Sequence, residues 1–203
     1  MAYNKFHYKT VGEKLGITFG YDSSYFQDIR PVTPRPMILD LLQPNDHYLL
    51  TSEIARREWY VSTVFRELIY QTDGKVCIYS GERFDVETSL GLSGEADYLI
   101  GLGKVQIPIQ APIIAVAEAK PDYLLSGLGQ CIAEMVAARL YNERNQTPTR
   151  YIYGVVTTGL LWGFLVLDQN KVYMDSVEYN LNRLDQILGI LIYMSTHAIS
   201  TDN

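Results

Sequence analysis

"APIIAVAEAKPDYLL", residues 111–125, is a run of small and branched apolar residues with Glu118 and Lys120 near its far end. Residues 113–120 read as a β-strand that Pro121 stops. Side chains of a strand alternate between faces. Ile114, Val116, Glu118 and Lys120 therefore share one face, and Ile113, Ala115, Ala117 and Ala119 share the other. Apolar residues on both faces mark an interior strand, covered on both sides. An unpaired buried charge is very costly. Glu118 and Lys120 are thus paired, bound to a metal, or placed at the rim where the strand emerges into water.

The flanking sequence sets this strand in an α/β frame. Upstream, "KVCIYS" (75–80) and "EADYLIGL" (95–102) are strand-like, with a glycine-rich loop between them. Before them, "TSEIARREWYVSTVFRELIYQ" (51–71) reads as a helix. Thr51 or Ser52 is its N-cap, Glu53 lies in its first turn, and Asp73-Gly74 ends it. Downstream, "YLLSGLGQCIAEMVAARLYNER" (123–144) is a second helix. "RYIYGVVTT", "LWGFLVLD" and "KVYMDS" follow as strands, and Asn180 caps a last amphipathic helix through 181–199. This order predicts a mixed central β-sheet flanked by helices. Residues 1–50, rich in proline around "RPVTPRPMILDLLQPND", read as an irregular N-terminal arm packed on a domain of 51–203. A short strand or turn is expected near "GITFGYD".

Composition narrows the classes. The chain has 203 residues, 47% hydrophobic and 20% charged, which suits one domain with an appended arm. A chain of that size buries a core without disulfides or structural metal. Cys77 and Cys131 lack metal-ligand spacing and sit in apolar context, so they read as buried free thiols. Free thiols fit a reducing, cytoplasmic setting. The net charge of −6 argues against general coating of nucleic acid, but leaves room for a local basic groove or an acidic metal site. "MAYNKFHYKT" carries no targeting pattern. "YIYGVVTTGLLWGFLVL" (151–167) is uncharged, but Thr157, Thr158 and Gly159 interrupt it. It also falls short of the roughly 20 residues of a membrane span. Two buried strands joined by a tight turn are expected there, and no membrane partner.

Three acidic residues fall in places that ask for a reason. Asp97 lies in mid-strand on one face with Leu99, opposite Ala96, Tyr98 and Ile100. Aspartate is disfavoured in strands, although an edge strand facing solvent accommodates one. On the first helix Ile54, Val61, Phe65 and Leu68 mark an apolar stripe. Glu58 falls on that stripe, Glu53 to one side and Glu67 opposite. Glu58 is therefore expected to point inward, toward a metal site or into a salt bridge with Arg56, Arg57 or Arg66. On the second helix the stripe is Leu124, Leu128, Ile132 and Met135, with Arg139 inside it. Gln130 lies on a different face, with Glu134, Ala137 and Tyr141. Small residues at 127, 129, 133, 137 and 138 permit close packing on a sheet.

Clustered carboxylates resist joint ionisation unless a cation compensates. Oxygen donors without histidine or cysteine favour magnesium or manganese over zinc. His7, His47 and His197 are far apart and form no ligand pattern. A bound ion lowers the pKa of an attacking water and neutralises charge on a phosphate, while a lysine beside it holds or helps deprotonate that water. The chemistry to which this points is phosphodiester hydrolysis.

Glu58 on a helix, "EAD" with Asp97, "EAK" with Glu118 and Lys120, and Gln130 on the next helix resemble the PD-(D/E)XK nuclease superfamily. Over about residues 51–167 the chain is similar to the N-terminal nuclease domain of type I restriction motor subunits. The resemblance implies a restriction-endonuclease-like fold and a magnesium- or manganese-dependent nuclease, acting on DNA in preference to RNA. It implies Asp97, Glu118, the main-chain carbonyl of Ala119 and Glu58 as metal ligands, Lys120 as the catalytic lysine, and Gln130 as a supporting residue. Ala96 stands where the motif has proline, and "PD" at 121–122 follows the lysine instead of forming the first half of the motif.

Other signals are weaker. "GLGKV" (101–105) has Tyr98 where a phosphate loop needs glycine, and Val105 where it needs Ser or Thr. "SGLGQ" (126–130) lacks the third glycine of a dinucleotide loop. Lys104, Arg144 and Arg150 are candidate phosphate contacts. The rival reading is a catalytically inactive nuclease-fold module for binding or assembly, its charges kept as a salt-bridge network. Either reading allows a homodimer through "LGILIYMSTH".

Overall fold

A computed structural model describes residues 2–21, 25–43, 52–105, 107–120 and 123–199. Thr51, Pro121, His47 and the rest of the arm segment 44–50 lie outside the described residues. The helices are α1 (Tyr8–Leu15), α2 (Pro36–Leu41), α3 (Glu53–Arg56), α4 (Ser62–Gln71), α5 (Leu125–Arg144) and α6 (Leu184–His197). A π turn, Arg57–Val61, joins α3 to α4. The strands are β1 (Thr18–Tyr21), β2 (Val76–Arg83), β3 (Glu95–Leu102), β4 (Ile113–Ala119), β5 (Tyr151–Thr157), β6 (Leu161–Asp168), β7 (Lys171–Met174) and β8 (Tyr179–Asn180).

All eight strands form one mixed sheet in the order β1-β7-β6-β5-β4-β3-β2, with β8 on β6. β2, β3 and β4 run as an antiparallel meander. α5 then crosses over, so β5 returns parallel to β4. β5 and β6 form the hairpin expected from 151–167, and Gly159 takes φ +83° in its turn. No helix among the described residues is long and apolar enough to cross a membrane.

The sheet is covered on both faces, which is why β4 is buried at every position. One face packs against α5, with Leu99, Val116, Val156 and Leu165 meeting Leu128, Cys131, Ile132 and Met135. The other packs against α4 and α6, with Tyr98, Ile100, Tyr153 and Phe164 meeting Phe65, Leu68, Ile187 and Leu191. The alternation expected along β4 fails at one point. The β3–β4 register shifts between Ile100 and Gly101, leaving Ile114 as an extra residue. Ile114 therefore joins Ala115 on the α4–α6 face, while Val116 and Glu118 face α5.

The N-terminal segment is more regular than its composition suggests. α1 and the preceding 3-10 turn Tyr3–Lys5 lie on the outer side of α5, and β1 adds to the sheet parallel to β7. α5 is thus enclosed on both sides. A Cβ on Gly127 would come within 2.8 Å of Val156 on the sheet side, and one on Gly129 within 2.4 Å of the Phe6 carbonyl on the other. That enclosure accounts for a helix buried on nearly every side. It also buries Glu134, Ala137 and Ala138, off the expected stripe.

α6 corrects a further expectation. Leu184, Ile187, Leu188, Ile190, Leu191 and Met194 are all buried in the core. The helix carrying "LGILIYMSTH", through which a homodimer was allowed, is an interior element of this chain. Cys77 and Cys131 are buried free thiols, and burial pushes both above the ordinary thiol range.

Candidate metal-dependent hydrolytic site

The β3–β4 ladder pairs Leu99 with Val116 and Tyr98 with Ala117, then stops. One step further in this register Asp97 stands opposite Glu118. Like charges directly across a ladder repel, so the strands fork here. Lys120 N–H donates to the Thr157 carbonyl of β5. By alternation, the N–H and C=O of Ala119 both face the fork. Beyond the last ladder pair Asp97 supplies the missing acceptor, its Oδ2 receiving the Ala119 N–H at 2.9 Å.

The acids at the fork are matched by three donors. Arg57 Nη1 donates to Asp97 Oδ1 at 2.6 Å. Lys120 Nζ donates to Glu118 Oε1, and Gln130 Nε2 to Glu118 Oε2 at 2.8 Å. Gln130 Nε2 also reaches Glu134 Oε1 at 3.1 Å, so its amide bridges two carboxyl groups. Glu134 Oε2 is buried with no hydrogen-bond partner among the described residues. Burial first, and Glu118 second, push the Glu134 carboxyl well above its ordinary range. Both favour the neutral acid, the form that a buried oxygen without a donor tolerates.

Glu118 has a side chain only 1% exposed. Its pKa is raised from 4.5 to about 8, by burial first and the Asp97 charge second, with Lys120 opposing. Burial works to lower the Lys120 ammonium, but the Glu118 carboxylate outweighs it and the group ends above its ordinary value. Between the two partners the proton stays on Lys120. The lysine is therefore a cation and a donor, suited to orienting water or stabilising developing negative charge.

The sequence-predicted residues divide clearly. Asp97, Glu118, Ala119, Lys120 and Gln130 come together at the fork. Glu58 does not join them: it is exposed on the π turn. The cause is the wide turn. Its i→i+5 bond from Ser62 N–H to the Arg57 carbonyl breaks the 3.6-residue frame in which Ile54 and Glu58 align with Val61. Ile54 is accordingly 61% exposed. The residue aimed at the sheet from this turn is Arg57, and its partner is Asp97. Glu53, read as lying to one side, is half-buried and acts electrostatically on Glu118, Lys120 and Arg57. Glu67, expected on the outer face, is fully buried and holds both the backbone N–H and the side chain of Arg35. Glu134 was legible in part, because it lies four residues after Gln130 on the same helix face. Arg57 was named only as a candidate partner for Glu58, and nothing in the local pattern pointed to its pairing with Asp97.

The donors suit a hard cation. Two carboxylates and the Ala119 carbonyl converge on one fork, and burial and the Asp97 charge raise the Glu118 carboxyl in spite of Lys120, so added positive charge favours its ionised form. Among the described residues, no group of three or more His, Cys, Asp and Glu side chains is placed to hold a metal ion. A cation bound here would take its remaining ligands from the main chain and solvent. Of the candidate phosphate contacts, Arg144 is tied to Glu87 at 2.6 Å and Arg150 lies over the Tyr151 ring, while Lys104 is exposed. Compared with known protein families and with curated proteins, the chain matches no family model and no curated relative.

Proposed function

We infer that this protein is a divalent-metal-dependent nuclease of the PD-(D/E)XK kind, with a restriction-endonuclease-like fold, cleaving DNA in preference to RNA. The observation that carries the reading is the meeting of Asp97, Glu118, Ala119 and Lys120 at one fork. The order helix, antiparallel three-strand meander, crossover helix and parallel fourth strand is consistent with it.

In this reading Asp97, Glu118 and the Ala119 carbonyl hold magnesium or manganese. The bound ion supplies a water of lowered pKa and charge neutralisation on the phosphate. Lys120, already a donor to Glu118, orients the attacking water and meets the negative charge that grows on the phosphoryl oxygens. Gln130 fixes Glu118 through its second oxygen, so the carboxylate keeps one rotamer as the ion binds. The reaction adds water to phosphorus, breaks one P–O ester bond, and passes the proton to the leaving oxygen through solvent. The body of the protein is acidic, so substrate binding is expected to be weak and salt-sensitive.

A second reading is favoured by one specific observation. The charges at the fork are already matched within the chain, Asp97 by Arg57 and Glu118 by Lys120. A catalytically inactive nuclease-fold module for binding or assembly would look the same. Cleavage of plasmid, linear and single-stranded substrates with manganese, beside Asp97→Ala and Lys120→Ala, separates the two. Cleavage lost in both variants supports the nuclease. No cleavage by the wild type, with no manganese binding at millimolar concentration by calorimetry, supports the module.

A further inference from the structure

Asp97 is the carboxylate a cation must reach, and both of its oxygens are engaged. Oδ2 accepts from the Ala119 N–H and Oδ1 from Arg57 Nη1 at 2.6 Å. The backbone contact leaves room for a metal, because each carboxylate oxygen has two lone pairs and an N–H carries no net charge. The guanidinium does not. It sits where positive charge at Asp97 is most stabilised, and a divalent ion placed beside it is repelled.

Two features suggest a contact that opens. The side chains of Arg57 and Asp97 are 25% and 14% exposed, so solvent and ions reach the pair. The backbone of Arg57 is pinned, while among the described residues its guanidinium is held by Asp97. Its carbonyl accepts from Ser62 N–H in the π turn, and from the hydroxyl of Tyr98, the neighbour of Asp97 on β3. Tyr98 is held in turn by Ser62 at 3.0 Å. The root of the arginine is thus fixed over the fork, and rotation about its side-chain bonds moves the guanidinium without moving the helix.

We propose that Arg57 is a displaceable stand-in for the divalent cation: it neutralises Asp97 when no metal is bound, and metal binding releases its guanidinium to a phosphate of the nucleic acid. The proposal rests on the metal-dependent reading above. It makes substrate and metal mutually reinforcing, since each draws one partner out of the Arg57–Asp97 pair. The planar fork of arginine suits both partners, because it engages carboxylate and phosphate by the same geometry.

The test measures manganese affinity by calorimetry, and DNA affinity across a salt series, for wild type and Arg57→Gln. Removing the arginine should tighten manganese binding about tenfold, the effect of losing one adjacent charge. It should also weaken DNA binding and reduce the salt slope by about 1, the loss of one phosphate contact. A structural role alone would not move the two affinities in opposite directions. Manganese binding that is equal or weaker in Arg57→Gln than in a metal-binding wild type overturns the proposal and leaves the nuclease reading intact. No binding by either protein removes both. Should the variant fail to fold, the wild type decides. The NMR side-chain resonances of Arg57 should shift on magnesium titration, and an unchanged spectrum at saturating magnesium overturns the proposal.

Discussion

Asp97 accepts the backbone N–H of Ala119 across the point where β3 and β4 cease to pair, at 2.9 Å. One side chain thereby terminates the ladder, fixes the width of the fork, and stands beside Glu118. Sheet architecture and candidate chemistry meet in that contact.

Substitution at the fork is expected to separate activity from folding. Asp97→Ala should abolish manganese-dependent cleavage and cost about 1 kcal/mol of stability, since the Arg57 pair is partly solvent-screened. Lys120→Ala should reduce cleavage by at least about a hundredfold. It should leave the fold intact, because loss of the Lys120 cation pushes the Glu118 carboxyl further up, toward the neutral form that burial tolerates. Circular dichroism and a plasmid-nicking assay check both. Wild-type rates in either variant would remove these residues from the chemistry.

The acidity of Glu118 makes a directional prediction. Its carboxyl titrates near 8 in the fold against 4.5 ordinarily. The native state keeps a proton that the unfolded chain has lost, so the metal-free protein loses stability as pH rises from about 4.5 to about 8. Glu134, raised by burial, adds a slope of the same sign. Urea unfolding at several pH values should show the decline, and Glu118→Gln should make it shallower. Manganese affinity should climb over the same range, because the ion requires ionised Glu118.

The two glutamates before α4 should behave oppositely. Glu58→Ala, on the exposed side of the π turn, should change stability by no more than about 0.5 kcal/mol and leave cleavage at wild-type rates. Glu53→Gln removes a negative charge acting on Glu118. The pH midpoint for manganese binding should therefore move down. A large activity loss in Glu58→Ala alone would restore the helical frame that the π turn breaks.

Away from the fork, Glu67→Ala should destabilise by about 1–3 kcal/mol in chemical denaturation. It strips the buried acceptor from the Arg35 backbone N–H, bonded at 3.0 Å, and from the Gln71 side chain at 2.8 Å.

Gly129→Ala tests the docking of the N-terminal segment. Its Cβ would meet the Phe6 carbonyl and His7 backbone carbon at 2.4 and 2.6 Å. Backbone that close cannot yield cheaply, so a loss of about 1–3 kcal/mol is expected. Faster proteolysis before Thr18 should accompany it.

Periodicity alone was enough to locate most elements of this chain. The strand at 95–102 falls where its alternation placed it, and the interruption at 157–159 became the β5–β6 turn. Local pattern also brought Asp97, Glu118 and Lys120 forward, because a charge in an apolar run is visible without coordinates, whereas Gln130 came forward through the family resemblance. The β4 bulge at Ile114 and the π turn at Arg57–Val61 were not visible. Each inserts a residue without leaving a compositional mark, and each shifts the phase of what lies beside it. One moved Ile114 to the other face; the other turned Glu58 outward and Arg57 in. The partners of buried charges were likewise settled by the tertiary structure. Arg57 meets Asp97, and Arg35 meets Glu67, across separations of 40 and 32 residues. Sequence spacing carries hydrophobic phase because phase is a local property of one element. Which cation neutralises a given carboxylate is decided only when separate elements pack.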